Sequence, residues 1–191
     1  MLTRADLYSL EEYARLRPEF RAQVIAHKKI RRVALGPNAT LHFEDALTVQ
    51  YQVQEMLRLE RMFEPEPIQQ ELDVYNPLIP DGGNWKATFM IEYPDEDERR
   101  QRLARLRGVE RAVWVQVADC PRVHPIANED LDRETEDKTS AVHFLRFELT
   151  SAMVDSAKQG AAIRMGIEHP EYSAEVTLAQ AVRESLAGDL Q

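Results

Sequence analysis

Apolar residues recur along this chain with two different periods, and the change from one to the other divides it. Over residues 46–63, ALTVQYQVQEMLRLERMF, Val49, Val53, Met56, Leu57 and Phe63 fall on one face at 3.6 residues per turn. Glu60 falls among them, Gln52 lies at the stripe's edge, and Gln50, Gln54, Arg58 and Arg61 take the opposite face. Val49, Tyr51 and Val53 also alternate like a strand, but the length and second half of the segment predict a helix, capped by Asp45. A carboxylate on a core-facing stripe needs a partner, because burying it alone is costly. The expectation is therefore a buried Glu60 bound to a cation, an arginine rather than a metal, with Arg146 as one candidate.

Before this segment, Ser9 and Glu12 form a capping box ahead of a short helix, and Pro18 suits the first position of a second helix reaching about Lys29. RRVALGPNATLHFED reads as a hairpin, with Val33, Leu35, Leu41 and Phe43 inward and Gly36-Pro37-Asn38 at the turn. A short helix near 67–75 leads into the stiff loop YNPLIPDGGNW.

From Trp85 the period is two. Trp85, Ala87, Phe89, Ile91 and Tyr93 alternate with Lys86, Thr88, Met90 and Glu92. A helix over 95–107 follows, acidic at its start and basic at its end, as the helix dipole favours. Strands are predicted over 112–117, 122–127 (short), 141–149 and 163–167. Thr150 caps a helix that Gly160 ends, and Thr177 with Gln180 caps a last helix that Gly188 stops. This order predicts a single α+β domain with a ferredoxin-like, split βαβ core over 85–170. Residues 1–84 would form a helix–hairpin–helix cap on that core, and 171–191 a C-terminal helix.

Composition narrows the functional classes. The chain has 191 residues, 43% hydrophobic and 30% charged, enough for a real core and too apolar for global disorder. A net charge of −9 argues against general binding to nucleic acid, leaving Lys28-Lys29-Ile30-Arg31-Arg32 as a lone basic patch. Cys120, the single cysteine, excludes an internal disulfide and an all-cysteine metal site, and inert packing is its simplest role. With no apolar signal core at the start and no run of about 20 apolar residues, the expectation is a soluble cytoplasmic protein.

Candidate chemistry is sparse. No G-x-G-x-x-G, Walker or H-E-x-x-H pattern occurs. The loop from Tyr75 to Trp85, with Asn76 and Asn84, is a candidate ligand loop set against a plain docked connector. Trp114 and Arg146 on an exposed sheet face would suit an anionic or planar ligand; the alternative is a face covered by the N-terminal elements, with Arg146 neutralising Glu60 or Glu148. The candidate ligand set is thus Glu60, Tyr75, Asn76, Asn84, Trp85, Trp114 and Arg146. No metal is expected; the alternative is iron, manganese or zinc held by His42, Glu44 and Glu60. The acidic run Glu129, Asp130, Asp132, Glu134, Glu136 and Asp137 reads as a solvated loop.

Three phrases, AHKKIRRVALGPNATLHFED, QYQVQEMLRLERMFE and YNPLIPDGGNWKATFMIEY, carry a resemblance to a bacterial family of unknown function spanning nearly the whole chain. The resemblance implies a link to redox or iron chemistry through a rubrerythrin-like or iron–sulfur partner; together with the absence of a recognisable catalytic set it predicts a non-catalytic accessory or interaction protein. The rival class is a small metal-dependent or ligand-binding enzyme using Glu60, His42 and the 75–85 loop. A homodimer is expected from the general prevalence of two-fold assemblies.

Overall fold

A computed structural model describes residues 1–129 and 138–191. It is a mixed α/β structure with two antiparallel sheets and six α-helices among the described residues. The first helix, α1 (Leu10–Lys29), starts at the Ser9–Glu12 capping box. Pro18 lies inside it rather than opening a second helix. A proline removes one backbone hydrogen bond, and burial of Tyr13 on one side of Pro18 and of Phe20 and Val24 on the other holds the helix continuous.

The hairpin β1 (Arg32–Ala34) and β2 (Ala39–Phe43) forms with Val33 opposite Leu41. Its turn requires Gly36, where φ is +75° and a Cβ would come within 2.6 Å of the Tyr172 hydroxyl. Asp45 caps α2 (Ala46–Glu60) by accepting from the Thr48 amide at 2.9 Å. After α3 (Pro65–Tyr75) and a 3-10 turn at Asn76–Leu78 come β3 (Asn84–Ile91), α4 (Glu96–Arg105), β4 (Val113–Val117), β5 (Ile126–Ala127) and β6 (Val142–Glu148). The chain continues through α5 (Ser151–Lys158), β7 (Ile163–His169), β8 (Tyr172–Thr177) and α6 (Gln180–Ala187). Thr177 therefore ends a strand instead of capping the last helix, whose cap residue is Ala179. The acidic residues Asp130, Asp132, Glu134, Glu136 and Asp137 lie outside the described residues.

The strands do not form the expected ferredoxin-like sheet. One sheet runs β1-β2-β3-β6-β5 and the other β4-β7-β8. β3 and β6 are antiparallel neighbours, as the first and third strands of a split βαβ core are, but β4 and β7, which would flank them in such a core, lie in the other sheet. The cause lies at the sheet edges. The β1–β2 hairpin occupies one side of β3, and β5 occupies the free side of β6. No edge remains for β4 and β7, which pair with each other and add β8. The N-terminal hairpin is accordingly part of the larger sheet, not of a separate cap.

Both sheets feed one core. Trp85, Phe89 and Phe147 from the larger sheet join Val115, Ile163 and Met165 from the smaller, closed by Leu103, Met153 and Leu186 from helices. The Trp85 indole donates to the Leu186 carbonyl at 2.9 Å. The N-terminal helices form two smaller clusters of their own, around Val53, Leu57 and Leu72 and around Tyr13, Phe20 and Val24. No helix among the described residues is long and apolar enough to cross a membrane.

Candidate functional site: a cleft between the sheet and the helical layer

Period two along β2, β3 and β6 sends alternate side chains away from the core. On this outer face His42 lies opposite Thr88, Thr88 opposite Phe144, and Lys86 opposite Arg146. Glu44 follows directly, its amide bonded to the Lys86 carbonyl at 2.9 Å. Helices α2 and α3 and the 3-10 turn stand over this face without closing on it, leaving a cleft with two lobes. One lobe, about 750 Å³, runs between Tyr75, Pro77 and Leu78 above and Lys86, Phe144 and Arg146 below. The second, about 470 Å³, extends past His42, Glu44 and Thr88 toward Thr48 and Gln52 of α2. Tyr75, Leu78 and Phe144 line both. These volumes lie in the range of small-molecule sites.

The polar groups on the cleft floor are individually anchored. The Lys86 ammonium donates to the carbonyls of Pro77 (2.7 Å) and Ile79 (2.9 Å), tying the 3-10 turn to the sheet. Arg146 binds Glu129 in a two-pronged pair at 2.7 Å and also meets Glu148. The Arg146 hydrogen bonds in turn hold Glu129 below the usual carboxylate range. Glu44 accepts one hydroxyl hydrogen bond on each oxygen, from Thr48 at 2.6 Å and Thr88 at 2.8 Å. Arg31, only 2% exposed, fixes the end of β2 by donating to the carbonyls of Phe43 and Glu44 while paired with Asp189 at 2.6 Å. The basic run at 28–32 is therefore broken, since its fourth member points inward. His42 is partly buried, and that burial, aided by Arg32, pushes its ring below the ordinary histidine range. It is neutral at pH 7.

Of the residues singled out from sequence, Tyr75 and Arg146 share the first lobe, and His42 and Glu44 share the second. The others lie elsewhere. Glu60, the last residue of α2, is exposed and in no ion pair among the described residues. The helix ends at Arg61, in the left-handed conformation at φ 53°, so the stripe runs out before Glu60 meets anything, and Phe63 beyond it is 65% exposed. Arg146 pairs with Glu129 and Glu148, not Glu60. Asn76 pins the N-terminal segment through Leu2, donating and accepting at 2.9 and 2.8 Å. Asn84 is buried against Glu148, and Trp85 belongs to the core. Trp114 sits in the other sheet, 1% exposed, under the Arg122 guanidinium at 3.7 Å, in space that only Gly166 leaves open.

Phe144 and Leu78 were missed. The signal for Phe144 was available, because it is two residues from Arg146 on one strand and must share its face. Glu60 cannot join His42 and Glu44 as a ligand set, and no group of three or more His, Cys, Asp or Glu among the described residues is placed to hold a metal ion.

The architecture defines an α/β protein with a ligand-sized cleft at the seam between a sheet and a helical layer. The chain belongs to the DUF3501 family, proteins of unknown function, which it matches over residues 1–190. It is similar to a protein of unknown function from Burkholderia pseudomallei K96243 solved by crystallography, with 51% sequence identity and a TM-score of 0.94 over 100% of this chain and 99% of that one. No curated protein matches the chain.

Proposed function

We propose that this is a non-catalytic binding protein that holds a small, largely apolar molecule in the two-lobed cleft. The observation that carries the reading is the gap itself. Tyr75, Leu78 and Phe144 converge on both lobes, while Lys86, through two carbonyls, props the turn that roofs the first. Apolar walls with few, fixed polar groups are the usual make-up of a small-molecule site. Every cation on the floor of the first lobe is engaged by protein groups, which favours holding a ligand over polarising a bond in it. The accessory role beside a redox or iron partner, implied by the family resemblance, belongs to the same reading, and co-purification with a rubrerythrin-like protein tests it.

A protein-observed NMR screen of a chemically diverse fragment library tests the cleft. Binders are expected to converge on Tyr75, Leu78 and Phe144, and Tyr75→Ala and Phe144→Ala to weaken them. Binders that scatter over the surface, or none at millimolar concentration, would refute the reading.

A further inference from the structure

The second lobe carries an asymmetry that the first lacks. Among the described residues Glu44 is the only carboxylate lining it, and it enters no ion pair with any of them. Among the described residues its two oxygens accept only from the Thr48 and Thr88 hydroxyls. A carboxylate has about four lone-pair sites, so about half of its accepting capacity is unused. The ring of His42, two residues away on the same strand face, makes no hydrogen bond among the described residues, and when neutral offers one further acceptor nitrogen. Of the nearby cations Arg31 is engaged in ion pairs, while Arg32 is exposed opposite His42 on β1 and acts on its ring by charge alone. Arg31 is spent on Asp189, Asp45 and two backbone carbonyls, and the exposed Lys28 lies over the Tyr51 ring at 5.6 Å. This end of the cleft therefore presents two side-chain acceptors, one of them charged.

We infer that the Glu44–His42 end of the cleft takes a primary ammonium group carried on an apolar body. The inference rests on the ligand-binding reading of the cleft and deepens it. Residues two apart on a strand are separated by about 6.6 Å. A nitrogen placed between such side chains reaches both at ordinary hydrogen-bond lengths of about 2.9 Å. A metal ion would need bonds of about 2.1 Å and further protein ligands, which the described residues do not assemble. A carboxylate or phosphate would face Glu44 directly. The aromatic wall of Phe144 and Tyr75 suits the carbon body and adds attraction for a cation near a ring face.

The test compares three probes of one shape by protein-observed NMR titration: 2-phenylethylamine, 2-phenylethanol and 3-phenylpropanoate. The amine is expected to perturb Thr88, His42 and Phe144 and to bind at least about tenfold more tightly than the alcohol, as one charge-assisted hydrogen bond would supply. Glu44→Gln should abolish that difference, and Phe144→Ala should weaken amine and alcohol alike. The wild-type comparison stands even if Glu44→Gln fails to fold. Equal or tighter binding of the alcohol or the acid in the cleft would overturn the inference and leave the cleft reading standing. Zinc alone binding at His42 and Glu44 more tightly than the amine would overturn it as well. If neither these probes nor the fragment library binds in the cleft, both readings fall.

Discussion

The two-sheet core and the helical layer are built from the same kinds of residue but hold together differently. In the core, strands from two sheets and four helical segments bury large aromatics in a single cluster. In the layer, α1, α2 and α3 share two small clusters, with polar groups inside: Gln54 is fully buried, and its amide oxygen accepts from the Tyr8 backbone at 2.6 Å. Glu55 accepts from Tyr13 at 2.7 Å and Arg17 at 2.8 Å. The layer is therefore held by hydrogen bonds and thin apolar contact, and its seam with the sheet is left open. A cleft falls where packing is least complete, and there local opening costs least.

The largest effect is expected in the core. Trp85→Ala removes one of the two largest buried side chains and its indole hydrogen bond to the Leu186 carbonyl, and should cost about 3–5 kcal/mol in chemical denaturation. Leu72→Ala, at a fully buried position of the cluster around Val53 and Leu57, should cost about 2–4 kcal/mol and raise hydrogen exchange in α2 and α3 while sparing β3 and β6. Equal loosening of both regions would break the distinction between them.

The third effect depends on pH. Hydrogen bonds from Arg17 hold Glu55 down from its ordinary 4.5 to about 2. A carboxylate whose folded value is depressed adds stability that is present above its unfolded value and lost as pH falls through the folded one. Melting of the wild type should therefore fall between pH ~4.5 and ~2 by about 2 kcal/mol, allowing for partial exposure. Glu55→Gln should flatten that part of the profile, and an unchanged slope would remove Glu55 from the account. The smallest effect is assigned to Glu60. Glu60→Gln should shift stability by less than about 0.5 kcal/mol, and a larger loss would mean that the end of α2 is buried after all.

What was legible in the sequence follows the same division. The alternation of β3, the hairpin around Gly36 and the caps at Ser9, Asp45 and Thr150 were readable because each is decided by a few adjacent residues. The phase of α2 was also right over Val49, Val53 and Leu57. It misled at both polar positions because a stripe records direction, not what stands opposite. Gln54 faces α1 and the Tyr8 backbone, so it is buried. Glu60 shares the phase of Val49 but lies at the helix end, where nothing covers it. Sheet membership was out of reach for a related reason. Which strand fills the edges of β3 and β6 depends on β2 and β5, one of them more than forty residues away along the chain. Strand β8 was overlooked although Tyr172, Ala174 and Val176 alternate, because Thr177 imitates a helix cap.

The central claim is that the seam between layer and sheet is a binding site. Hydrogen exchange with and without a saturating cleft-binding fragment tests it most directly. The account predicts slowed exchange confined to residues 42–52, 72–79, 84–90 and 142–148, with β4, β7 and β8 unchanged. Protection in β4, β7 and β8, or none in residues 72–79, would contradict it.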